Sequence, residues 1–216
     1  MFDFSNPENP ILEVIRKISN LIILNIAFLL GCIPIITIGA SISALYTVCF
    51  RVVRQEDPYI WKGFWQAFRA NFRQSTLLWL ICLPVIVVLA GDFLFLQTQS
   101  SSFASYLQMG VWAVTFVALG TFHYLFPCAA HFVCTLSQCL KNALLMCFGH
   151  LPYTLLFLLL DGIVVFLALH SVNTLGMVFM LCLICGFSCT ALFKAILFHR
   201  IFRVYETTPA PEETEA

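Results

Sequence analysis

The sequence predicts an all-α, polytopic membrane protein, on three observations. Of its 216 residues, 61% are hydrophobic and 10% charged, against about 45–50% apolar and about 25% charged in an ordinary soluble domain. Lipid, not a soluble core, must cover that apolar surface. Apolar stretches long enough to cross a hydrocarbon core of about 30 Å recur at about 11–50, 76–96, 107–133, 143–169 and 174–199. What charge there is lies mostly between those stretches. The formal net charge is zero, which argues against a nucleic-acid partner.

Residues 1–10 form a polar lead in which Asn9 and Pro10 suit the cap and first turn of a helix running from Ile11 to about Gly31. The uncharged run Ile18–Phe50 has 33 residues. As one straight helix it would extend about 50 Å, so it must tilt, break or turn. Pro34, Thr37, Gly39 and Ser41 mark the break. Proline removes a backbone donor and glycine loosens the helix. Inside a bilayer, protein or a wet cavity must then satisfy the freed groups. A second, shorter helix follows over Ser41–Val53. A single crossing would put the N-terminus outside, whereas a broken hairpin keeps Arg16 and Lys17 inside.

The next segment, about 58–73, is amphipathic. Asp57-Pro58 suits a cap and first helical residue. At 100° per residue, Trp61, Phe64, Trp65, Phe68 and Phe72 share one face, with Lys62, Arg69 and Arg73 beside it. This pattern fits an interface helix at the cytoplasmic headgroups. It fits a connector packed on the bundle equally well, and a partner-docking face is a third reading.

Lysine and arginine placement sets the orientation. Arg51, Arg54, Lys62, Arg69 and Arg73 fall in one connection, Lys141 in another, and Arg200 and Arg203 near the end. The connections at 97–106 and around Ser171 carry no charge. The 51–73 loop, the Lys141 turn and the C-terminus are therefore expected in the cytoplasm. One transmembrane domain, 11–205, precedes an acidic tail, 206–216, whose composition predicts disorder.

Ten cysteines all lie in or beside apolar runs, where free thiols behave as small hydrophobes. Nothing in them implies an oxidising compartment. Cys128, His131 and Cys134 recur every three residues on one predicted helical face, as do Cys182, Cys185 and Cys189. Such spacing lacks the loop geometry of a zinc finger, so no metal or cofactor is expected. Leu29-Leu30-Gly31-Cys32 matches a lipobox, but the apolar run continues past it and lipoprotein processing is not expected.

Ionisable residues inside spans are the default functional candidates. Asp92 and Asp161 each fall about 8 Å outward of their predicted span midpoints, at 1.5 Å per residue. They line an outward-opening cavity in one reading and are hydrated at the outer interface in the other. His123 falls near mid-span, as a proton relay or as a neutral histidine bonded across helices. Lys194 is expected to snorkel to the cytoplasmic side. Pro84, Pro127 and Pro152 interrupt three further spans. No Walker motif, nucleophile elbow or His-Glu-x-x-His helix is present, so an enzyme is not expected.

Pro34-Ile35-Ile36-Thr37-Ile38-Gly39-Ala40-Ser41, Ala44-Leu45-Tyr46, Phe64, Phe68, Asn71-Phe72 and Gln74 resemble the YesL-like family of bacterial membrane proteins, a domain of unknown function. The resemblance is most specific over 18–76. It implies a small multi-pass protein of the Gram-positive plasma membrane, linked to carbohydrate transport because members are often encoded beside sugar importers. It supplies no catalytic residues, and the cysteine content departs from the family pattern. The resemblance implies an accessory or regulatory partner of sugar importer subunits. The residues themselves support an alternative, a small transporter or channel with a polar site near Asp92 and Asp161.

Overall fold

The computed structural model describes residues 10–56, 59–97, 102–132 and 134–206. These residues form helices and no strand. The order is α1 (Pro10–Cys32), a single 3₁₀ turn (Ile35–Thr37), α2 (Ile38–Val53), α3 (Ile60–Gln97), α4 (Ser102–His131), α5 (Leu136–Gly149), α6 (Leu151–His170), α7 (Val172–Leu181), a π-helical segment (Cys182–Gly186) and α8 (Phe187–Glu206). Six stretches are long and apolar enough to cross a membrane. The expected N-terminal lead, the Asp57-Pro58 cap and the tail beyond Glu206 lie outside the described residues.

The first apolar region is two spans joined by the 3₁₀ turn. The break closes on its own hydroxyls. Thr37 Oγ1 donates to the Gly31 and Pro34 carbonyls, both at 2.8 Å, and Ser41 Oγ donates to the Thr37 carbonyl at 3.1 Å. The Gly31, Pro34 and Thr37 carbonyls at the break thus find partners inside the protein, as a bilayer demands.

Small residues make α2 the centre of the bundle. Gly39, Ala40, Ser41, Ser43 and Ala44 are all buried, and such residues let helix backbones approach closely. A Cβ on Gly39 would lie 2.5 Å from the Ser75 carbonyl oxygen and 2.6 Å from Trp79 Cβ. Next to this contact, Ser75 Oγ donates to Ser43 Oγ at 2.8 Å. α2 packs on α1, α3, α4 and α8, and Val48, Cys49, Tyr124, Phe157, Phe198 and Phe202 form much of the core around it.

Three boundaries differ from the sequence expectation. The amphipathic segment is not a separate helix lying at the headgroups: it continues without interruption into the next span as the 38-residue α3, about 57 Å long. Gln74-Ser75-Thr76 contains no breaker, so nothing ends the helix there. The fourth apolar region divides at Gly149-His150. Pro152 stands at the start of α6 and suits that position, where its missing N–H costs nothing. The 14 residues of α5 are too few to span, and they pack on α4. The last region begins at Val172, where Ser171 and Thr174 form a capping box, and runs through the π-segment to Glu206.

The cysteines also differ in part. Cys134 lies beyond the end of α4 and forms a disulfide with Cys139, so it does not continue a face with Cys128 and His131. Gln74 Nε2 donates to the Cys134 carbonyl at 2.8 Å, tying α3 to this connection. The other eight cysteines are free thiols.

Candidate functional site

α4, α6 and α8 bring together His123, Asp161 and Lys194. Lys194 Nζ donates to both carboxylate oxygens of Asp161, at 2.8 and 3.0 Å. His123 Nε2 lies 2.5 Å from Asp161 Oδ2, and its Nδ1–H donates to the Leu119 carbonyl at 2.8 Å. The histidine and lysine side chains are 11% and 9% exposed, the aspartate 42%. Fully buried Phe157 supports the pair from below: His123 stacks on it, and Lys194 Nζ sits 6.0 Å from its ring centre, within cation–π range.

The site lies deep in the bundle. Asp161 is ten residues from the start of α6, His123 eight from the end of α4, and Lys194 eight from the apolar limit at Phe202. At 1.5 Å per residue these distances are about 12–15 Å, half of a core about 30 Å thick. Asp161 is therefore at mid-span rather than toward the outer surface, because α6 starts at Leu151 and not at Ala143. Lys194 does not snorkel; it turns inward to the carboxylate.

The partners fix a proton count. A carbonyl cannot donate, so Nδ1 carries a hydrogen. The short contact between Nε2 and the carboxyl group then requires a second hydrogen, on the imidazole or on the acid. With the Lys194 ammonium, the three groups hold one net positive charge wherever that proton rests. Three ionisable groups in this setting are costly to hold unless mutually paired.

Asp161, His123 and Lys194 line a cleft of about 620 Å³ whose other walls come from α1, α2, α7 and the π-segment. Its lining is mainly apolar. Ile42, Val165, Leu181 and Phe187 are typical of it, and Thr190 adds a hydroxyl-bearing side chain. A mostly apolar cavity with a few convergent polar groups is the usual form of a small-molecule site.

Asn25 holds the π-segment at the edge of this cleft. Its Nδ2 donates to the carbonyls of Cys182 and Leu183 at 2.9 and 2.8 Å, and its Oδ1 accepts from the Ser188 N–H at 3.3 Å. A π-segment leaves such carbonyls short of partners, and π-turns cluster at functional sites. Asn25 is fully buried. A lone amide in the otherwise apolar second half of α1 is the signal that marks it in sequence.

The remaining candidates are elsewhere. Asp92 is exposed on α3, makes no hydrogen bond or ion pair among the described residues, and lines neither this cleft nor a second one walled by α3, α4 and α5. Asp92 and Asp161 thus do not share a cavity. Thr37 and Ser41 serve the break itself, and Gly39 the α2–α3 contact. Of the amphipathic face, Phe64 is fully buried and Trp65 and Phe68 are half-buried against the core. Trp61, Lys62, Arg69, Phe72 and Arg73 stay exposed. Part of the face thus packs on the bundle and part does not.

Residues 21–93, from α1 into the last turns of α3, match the family described as "Protein of unknown function, DUF624". That is the YesL-like family of bacterial membrane proteins. The chain carries the family's segment. No curated protein and no solved structure matches it. His123, Asp161 and Lys194 all lie outside the DUF624 segment.

Proposed function

We propose that this membrane protein is a small, non-enzymatic carrier of the bacterial plasma membrane whose solute site is the cleft at Asp161. One observation carries the reading: a half-exposed carboxylate, paired with His123 and Lys194, faces a cavity at mid-span depth. Intramembrane ions that face a cavity mark substrate or proton pathways. The charge rule puts the 51–73 connection, Lys141 and the C-terminus in the cytoplasm. Six crossings then keep Arg16 and Lys17 on that side too.

Proteoliposomes loaded with a pH dye and offered labelled sugars, amino acids and organic cations under an imposed pH gradient test this. The expected result is accumulation of one class above empty vesicles, lost on Asp161→Asn. Wild-type vesicles no better than empty ones for every class would overturn it.

A second reading, an accessory partner of carbohydrate uptake, is supported by the family resemblance and by the exposed aromatic and cationic patch of Trp61, Lys62, Arg69, Phe72 and Arg73. It predicts that importer subunits co-purify with the chain after mild detergent extraction and are lost when Lys62, Arg69 and Arg73 are changed to Gln. Recovery of the lone protein would count against it.

A further inference from the structure

We propose that the cleft takes a lipophilic organic cation bearing N–H donors, and takes it in exchange for the proton shared by His123 and Asp161. The inference rests on the cleft being a solute site and names the chemistry of the solute. Three observations select that chemistry.

The donors of the site are already committed. His123 uses Nδ1–H on the Leu119 carbonyl and faces Asp161 with Nε2, and Lys194 uses two of its three hydrogens on Asp161. All three line the cleft, and the carboxylate has the most exposed side chain, at 42% against 11% and 9% for its partners. A ligand entering the cleft therefore meets an acceptor, and must itself donate. An anion would meet that carboxylate head-on and find one lysine hydrogen.

The walls are poor in other polar groups. Beyond the three ions, Thr190, Tyr46 and Cys182 are the cleft residues with a hydroxyl or thiol. A sugar would bury many hydroxyls there without partners, each paying its desolvation unrelieved. By contrast, Phe28, Tyr46, Phe122, Phe126 and Phe187 line the same cavity, and aromatic faces attract organic cations.

The charge balances. At rest the site holds one net positive charge, so a cation added to it would be repelled. If the shared proton leaves to water as the cation arrives, His123 becomes neutral, keeps Nδ1–H on Leu119, and turns its Nε2 lone pair to the ligand. The ligand's N–H then donates to Asp161 in the place of the departed proton. No covalent bond changes apart from that proton's, and the net charge of the site is unchanged. The titratable groups facing Asp161 across the cleft are His123 from α4, Lys194 from α8, Tyr46 from α2 and Cys182 from the π-segment; α1 and α7 contribute Phe28, Val178 and Leu181.

The test uses the full chain in nanodiscs of zwitterionic lipid with ethidium as the probe. Ethidium is a permanent cation with amino donors, so any proton released comes from the protein. Expected are saturable fluorescence enhancement, close to one proton released per ethidium bound in weak buffer, and an affinity that rises up to tenfold per pH unit while the resting site is protonated. Asp161→Asn should abolish the saturable binding. His123→Gln, unable to carry the second proton, should remove proton release and the pH dependence at whatever affinity remains. If Asp161→Asn does not fold, His123→Gln alone decides. No saturable binding, affinity independent of pH in the wild type, or displacement of nothing by ethidium while laurate binds in its place would overturn the proposal. If another solute class is nevertheless accumulated by vesicles, the carrier reading survives and the solute class is wrong. If ethidium binds with proton release and nothing is accumulated, the carrier reading fails and the site assignment stands.

Discussion

The segment 21–93 and the helices that follow it use polar residues in opposite ways. In the first, hydroxyls, amides and glycines mainly serve the backbone: Thr37 closes the break, Asn25 takes two carbonyls of the π-segment, and Gly39 admits α3. In the second, polar side chains serve one another. His123, Asp161 and Lys194 come from three different helices and satisfy no break in them. The family's segment is therefore a packing frame around α2, and the ionic site belongs to the helices docked on that frame. A family match located at the frame says little about chemistry located elsewhere.

The comparison breaks first at Asp161. Asp161→Ala leaves the Lys194 ammonium without its carboxylate and His123 Nε2 without its partner. Removing one partner of a buried pair costs about 3–5 kcal/mol, and the 42% exposure of Asp161 puts this case at the low end. The melting temperature in detergent should fall, and part of the loss should be recovered in Asp161→Ala/Lys194→Met. Full wild-type stability of the single variant would mean the three ions are not coupled.

Gly39→Ala comes next. Its Cβ would press on the Ser75 backbone, which cannot move like a side-chain tip. Overpacking of this kind costs about 1–3 kcal/mol. The melt should shift while the pH dependence of ligand binding does not. A change in pH dependence would show that frame and site are one unit. Thr37→Val should have the smallest effect, about 1 kcal/mol for the lost hydrogen bonds, with Thr37→Ser close to wild type in the same melt.

Much of the frame was legible in sequence. Length forces the break in Ile18–Phe50, and Pro34 locates it. The continuity of α3 was less so: hydropathy changes sharply near Gln74, and that change reports the surroundings of a helix, not an end to it. The site was half legible. Asp161 and His123 stand out as ions in apolar runs, but Asp92 looks the same and is not part of the site. Depth misled, because an eight-residue error in the start of α6 moves Asp161 from mid-span to the outer third. Lys194 has a stem long enough to reach either water or a buried carboxylate. Choosing between them needs the azimuth of α8 against α6, which periodicity within one helix does not contain.

A π-segment divides the rod that carries Lys194. A π-turn holds one residue more than the α-turn it replaces, so the rod made by α7 and α8 is widened at Cys182–Gly186 without being broken. On one side of the widening α7 packs against α6, and on the other α8 presents Lys194 to Asp161. The widened turn offers the Cys182 and Leu183 carbonyls outward, and Asn25 of α1 takes both. One surplus residue thus gives the frame a handhold on the helix that carries the lysine.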